Sequence, residues 1–197
     1  MYVEPDWTSP IDFEARLSAV PEDAQVRGMF LQLLLQAVHP ETRVKLGPRR
    51  YLAFKNYPLR EYIGLLQLCC ESMPSVPAAE CVRRLGRAVY PTYATTVTGT
   101  AIFAMAGNNF RRVAELAPAA YKIAIQPGTI TVRSVSDTHA EVEFREVYNL
   151  PDFHQVGIWE GAMAVCRARG TIRVRAHDFS SADFAIEWTS EPRSHRP

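Results

Sequence analysis

No stretch of this sequence approaches the ~20 consecutive apolar residues that a membrane-spanning helix needs. The opening residues, Met-Tyr-Val-Glu-Pro-Asp-Trp, lack the basic segment and apolar core of a secretory signal, so a cytoplasmic protein is expected. Neither sign of charge dominates. Lys and Arg number 22 against 21 Asp and Glu, a net +1, and that balance offers no global field for nucleic acid or an anionic surface. Cysteine is scarce: Cys69, Cys70, Cys81 and Cys166 form no C-x-x-C pair. That argues against a cysteine zinc site and leaves the four as reduced packing residues. The five histidines, His39, His139, His154, His177 and His195, lack the close helical spacing of paired ligands, so no metal is expected. P-loop, dinucleotide fingerprint, H-E-x-x-H and G-x-S-x-G are all missing. With no marked nucleophile, base and oxyanion site, no catalytic residue and no cofactor is assigned, and the expected protein is not an enzyme.

What is present is a chain of 197 residues, 47% hydrophobic and 22% charged, enough for one domain with a sizeable core. Residues 1–24 are rich in Pro, Asp, Glu and Ser, with Trp7, Ile11, Phe13 and Leu17 as scattered anchors. They read as an N-terminal arm carrying a short helix near 11–19. Residues 25–189 form the α+β domain, and 190–197 read as a flexible tail. Gln25–Val38 has apolar residues at helical spacing, among them Phe30 and Leu33, and ends at His39-Pro40. Residues 41–57 read as a polar connection broken at Gly47-Pro48. There Arg49, Arg50 and Lys55 interleave with Tyr51, Phe54 and Tyr57, but no wider basic face supports a nucleic acid strand, and docked aromatics with solvated charges are expected.

A second helix opens at Tyr57-Pro58. A third, Pro77–Tyr90, turns Ala78, Cys81, Val82, Leu85 and Val89 inward and Arg83, Arg84 and Arg87 outward. A segment of Thr and small residues follows Tyr90-Pro91 to about Gly99. Ile102, Phe103 and Met105 then make a short apolar helix, and Gly107-Asn108-Asn109 is a stop and cap. The next helix starts at Phe110 and continues, or kinks, through Pro118 towards Tyr121.

From Thr129 the period changes from helical to alternating. Ile130 and Val132, then Ala140, Val142 and Phe144, face one way in a hairpin turning at Ser136-Asp137-Thr138. Ile172 and Val174, then Phe184, Ile186 and Trp188, repeat the pattern in a second hairpin. Charges on the other face are opposite in sign across each pair. Between the hairpins lies His154–Cys166, a short helix with Gly157 and Gly161 four apart and Glu160 between them. The expected fold is therefore α+β: N-terminal helices packed on one face of a four-stranded antiparallel sheet made of two hairpins joined by a crossing helix. The glycines would let that helix approach the sheet or another helix closely, at a propensity cost of up to ~1 kcal/mol each. Glu160, if buried, needs a cation, and Arg84 or Arg87 are the candidates.

Several patches carry a resemblance. Arg27-Gly28-Met29-Phe30, Leu46-Gly47-Pro48-Arg49-Arg50-Tyr51, Phe54 through Tyr62, Arg84-Leu85-Gly86-Arg87 with Tyr90-Pro91, and Val156 through Gly161 resemble a paralogous family of unknown function expanded in myxobacteria, over about residues 25–189. The layout is also similar to the superfamily of four-vinyl-reductase domains, haem-dependent nitric-oxide sensors and TRAPP vesicle-tethering subunits. That likeness implies an α+β fold, frequent dimers and sometimes an apolar cavity. The chain departs from it in having no Tyr-x-Ser-x-Arg haem contact and only Cys166 near the last hairpin, so neither haem nor metal is implied.

The expected protein is a non-enzymatic ligand-binding or regulatory module, a homodimer that holds a small apolar molecule and acts through protein–protein contacts. Its ligand-binding candidates are Phe30, Leu33, Phe103, Met105, His154 and Trp159; Gly157, Glu160, Gly161, Arg84 and Arg87 are structural candidates. Two alternatives stand beside it. One is a small-molecule enzyme using the same cavity with His154, Glu160 and a cysteine; the other is a purely structural interaction module. An apolar pocket lined by Phe30, Leu33, Phe103 and Met105 favours the first reading, a pocket with His154 or Glu160 facing a thiol the second, and a broad exposed apolar patch without a pocket the third.

Overall fold

The structure is a computed structural model that describes every residue except His39, Asn108 and 191–197, and leaves aside the side chains of Ala37, Lys45, Leu46, Thr98, Ile102, Phe103 and Ser190. The helix end at His39, the cap at Asn108, the tail beyond Ser190 and the Phe103 side chain thus lie outside the described residues.

The change of period at Thr129 marks where the sheet begins. Strands β4 (Thr129–Val135), β5 (His139–Arg145), β6 (Ala168–Ala176) and β7 (Ala182–Ser190) form one antiparallel sheet in the order β4-β5-β7-β6. The two hairpins lie side by side because β5 and β7 pair, with Val142 opposite Phe184 and Ala140 opposite Ile186. Ile130, Ala140, Val142, Phe144, Ile172, Val174, Phe184, Ile186 and Trp188 are buried on one face, as alternation requires. On the other, Arg133 pairs with Glu143 at 2.8 Å and Arg173 with Glu187. Asp183 departs from the expected solvated face: it is buried beneath Arg145, Arg175 and His177. Burial alone would raise its pKa, but hydrogen bonds from those three partners hold it down to about 2.

Helix α8 (His154–Val165) crosses between the hairpins. It and α7 (Phe110–Ala124) are bound to the sheet by an aromatic cluster. Phe110 stands edge-on to Trp188 at 4.8 Å and to Trp159 at 6.1 Å, and Phe144 packs on Phe184 at 4.3 Å. Asn109 caps α7, its side chain accepting from Arg112 N–H, and Pro118 lies inside the helix without ending it.

The helical part departs from expectation in three places. The helix expected at 25–38 begins only at Gly28, as α2 (Gly28–Ala37). Before it, β1 (Gln25–Arg27) is the centre of a small antiparallel sheet between β2 (Asn56–Pro58) and β3 (Ile125–Gln126). The pairing that makes 25–27 a strand comes from segments about thirty and a hundred residues away, which a local period does not register. The expected polar connection holds a helix, α3 (Pro40–Leu46), and α4 (Leu59–Glu71) starts one residue after Pro58. Finally, α5 (Ala78–Ala94) runs on through Pro91, so the helix expected to end at Tyr90 continues to Ala94; α6 (Val97–Ala106) follows.

The N-terminal segment lies on this body through named contacts. Val3 pairs with Val174 on the edge strand β6. Trp7 takes the Arg83 guanidinium on its ring face at 4.3 Å and meets Phe153 edge-on. In α1 (Phe13–Ala19), Arg16 is ion-paired with Asp152 and lies over the Phe179 ring.

Candidate functional site

Four alanines open the space where the site lies. Ala117, Ala120 and Ala124 recur along one side of α7, and Ala162 faces them from α8. Small side chains where bulky ones would interlock leave a cavity of about 110 Å³. Its wall is mostly apolar and aromatic. Phe30 comes from α2, Tyr62 from α4, Val89, Tyr90 and Tyr93 from α5, Val113, Leu116 and Tyr121 from α7, Ile125 and Ile130 from β3 and β4, and Ile158 and Trp159 from α8. Phe30 and Tyr93 stack at 6.0 Å, closing one side.

Polar groups in the wall are few. Asn149, in the connection between β5 and α8, and Gln155, in the first turn of α8, are both buried. Tyr62 is fixed: its hydroxyl lies 2.7 Å from His154 Nε2, while His154 Nδ1 is 3.3 Å from the Val82 carbonyl. A carbonyl only accepts, so Nδ1 carries the proton, Nε2 accepts, and the Tyr62 hydroxyl donates. Full burial pushes the His154 pKa down to about 4 and keeps the ring neutral. Burial raises the pKa of Tyr62, Tyr90, Tyr93 and Tyr121, so all four are neutral phenols. Two atoms of wall residues stand apart: the Tyr121 hydroxyl and Asn149 Oδ1 are buried without a hydrogen-bond partner among the described residues.

Of the residues expected to bind, Phe30 and Trp159 line this cavity. Leu33 is buried but does not line this cavity. Met105 is 73% exposed and lines no part of the wall, because α6 turns it to solvent. His154 sits one layer behind the wall, bonded to Tyr62. Tyr121 and Asn149 were not foreseen. A tyrosine after a helical proline and an asparagine in a loop carry no sequence signal for a shared cavity.

The glycines of α8 have a definite role. A Cβ on Gly157 would lie 2.1 Å from the Arg83 carbonyl oxygen, one on Gly161 2.5 Å from the Arg87 carbonyl oxygen, and one on Gly86 2.3 Å from the His154 carbonyl oxygen. α5 and α8 therefore touch backbone to backbone. Pro91 has no N–H to offer the Arg87 carbonyl, four residues earlier in the helix, and that carbonyl faces Gly161. The same crossing corrects the partner expected for Glu160. It is Arg83, which donates from Nε and Nη2 at 2.7 to 3.1 Å, and not Arg84 or Arg87. The phase of α5 against Gly157 sets Arg83 beside α8, while Arg84 turns outward to Glu80 at 2.7 Å. Arg87 is exposed, beside a crevice that also holds Arg167 and Arg169.

His154, Glu160 and a thiol are not brought together. Both ring nitrogens of His154 are engaged, Glu160 is held by Arg83, and no cysteine lines the cavity. Among the described residues no group of three His, Cys, Asp or Glu could hold a metal ion, and no helix is long and apolar enough to cross a membrane.

The family described as "Protein of unknown function (DUF2378)" matches residues 19–189. No curated protein matches the sequence. Solved structures share the fold at low identity. An H-NOX protein from K. algicida, Fe(II) unliganded, superposes with a TM-score of 0.65 at 12% identity over 84% of this chain and 98% of that one. An H-NOX protein from S. oneidensis in the Fe(II)NO state gives 0.65 at 14% over 83% and 99%. An oxygen-binding H-NOX domain related to soluble guanylate cyclases, in its oxygen complex, gives 0.62 at 13% over 87% and 99%.

Proposed function

We propose that this chain, which belongs to the family of proteins of unknown function DUF2378, is a non-enzymatic ligand-binding module: it holds a small, mostly apolar molecule between α5, α7 and α8 and reports it through protein contacts. The observation that carries this reading is the cavity of about 110 Å³ walled by aromatic and aliphatic side chains from seven elements. A molecule seated there touches helices and sheet at once, so its binding bears on how they pack.

Among the solved structures that share the fold are H-NOX proteins, described with Fe(II), NO and oxygen. The residues here do not suit a haem. Among the described residues no His, Cys or Met lines the cavity, and its tyrosines are held as neutral phenols, poor ligands for iron. No Lys or Arg of the wall could pair with a propionate. The space falls well below the ~300–1,000 Å³ of cofactor sites. It is closer to the ~150 Å³ apolar cavity that takes up benzene.

Toluene is a direct probe. A saturating concentration should raise Tm of the wild-type protein, because a ligand that binds only the folded state stabilises it by mass action. Ala162→Leu, which fills the cavity from α8, should abolish the rise. A Tm indifferent to toluene in the wild type would overturn the reading.

A further inference from the structure

We infer that the cavity selects a neutral ring compound carrying one hydroxyl, a small phenol or alicyclic alcohol, whose O–H is held between Asn149 Oδ1 and the Tyr121 hydroxyl. This rests on the ligand-binding reading above and adds the chemical class. Both atoms belong to residues that line the same cavity and are only 1% and 6% exposed, and neither has a hydrogen-bond partner among the described residues. A buried polar group without a partner costs roughly 1–3 kcal/mol, and two in one small cavity point to a ligand that supplies the missing bonds.

The Tyr121 hydroxyl lies by the start of the connection that carries Asn149. A Cβ on Gly128 would sit 3.1 Å from the Tyr121 hydroxyl and 2.6 Å from the Glu146 carbonyl oxygen. Glu146 in turn opens the connection on which Asn149 stands. Apart from Gln155 and the hydroxyls of Tyr62, Tyr90 and Tyr93, the rest of the wall is apolar, so the ligand needs one polar end and a mostly hydrocarbon body.

The two atoms narrow the polar end. Asn149 Oδ1 only accepts, so the ligand must donate, which a ketone, ether or hydrocarbon does not. The Tyr121 hydroxyl can donate, so the same ligand group should also accept. A hydroxyl does both with one atom. A carboxylate would meet an acceptor and no wall cation, and an ammonium would be buried in an apolar cavity without a counter-charge. The volume limits the body to about one six-membered ring.

Calorimetric titration with benzene and phenol separates the possibilities. The wild-type protein should bind phenol at least about tenfold more tightly than benzene. Tyr121→Phe removes one oxygen that has no partner among the described residues, so it should fold normally and lower the preference for phenol over benzene about fivefold to tenfold. Equal wild-type affinity for the two would overturn the hydroxyl handle, leave the apolar cavity standing, and assign the two polar atoms to a buried water. An undiminished phenol preference in Tyr121→Phe would overturn the assignment of the handle. Binding of neither compound would overturn the ligand-binding reading itself.

Discussion

His154 shows how a single residue can bind the helical layer together without touching a ligand. Its ring joins Tyr62 of α4 to the Val82 carbonyl of α5 from the first turn of α8. The price of that burial is sensitivity to acid. The unfolded chain takes up a proton at this residue near pH 6.5, the folded one only near about 4. In between, the unfolded state binds more protons, so stability falls as pH drops through that window and the loss is complete below it. The window implies a loss on the order of 3 kcal/mol. Denaturant midpoints measured from pH 7 to 4 should show it, and His154→Gln should flatten the slope. Asp183 contributes little to that slope: its contribution is lost as pH falls from the unfolded value of 3.8 to the folded value of about 2, mostly below the range measured. Glu160 makes a second residue-scale case. Glu160→Gln leaves Arg83 with Glu80 alone, and stability should drop by about 1–2 kcal/mol in chemical denaturation. Unchanged melting would show that the pair anchors nothing. That Glu160 needs a cation was legible in the sequence. Which arginine supplies it was not, because the answer depends on the rotation of α5 against α8.

Among the elements, the pair of α5 and α8 governs the helical layer, and its glycines make a sharp contrast possible. Gly157→Ala forces a methyl group to within 2.1 Å of the Arg83 carbonyl, which is backbone and cannot swing aside. The helices must separate, and a loss of about 2–4 kcal/mol is expected. Gly64, in α4, has nothing within 4 Å of its missing Cβ. Gly64→Ala should therefore gain about 0.5–1 kcal/mol from helix propensity. Thermal melts of the two variants should shift in opposite directions. Periodicity showed that α8 exists and where it lies in the chain, and two glycines four apart indicated a close approach. It did not show β1, β2 and β3. A strand of two or three residues has too short a pattern to register, and it is a strand only because its partners are there.

At the scale of the whole molecule, the sequence by itself determined the sheet and the order of elements around it. Alternation in β4 to β7 marks a buried and a solvated face. Opposite charges such as Arg133 and Glu143 indicate the hairpin pairing, and the length between the hairpins suits one crossing helix. These are local properties: each depends on residues near in the chain or directly opposite across a turn. The cavity is of another kind. Its wall joins Phe30 of α2 to Trp159 of α8, and Tyr121 to Asn149, which a hairpin separates in the chain. Only the tertiary structure decided that Met105 faces solvent while four alanines leave a void, and that two polar atoms are buried there without partners. The physical reason is that a cavity is a failure of distant side chains to fill space. Its existence depends on helix phase and on distances between elements, which no period in the chain encodes.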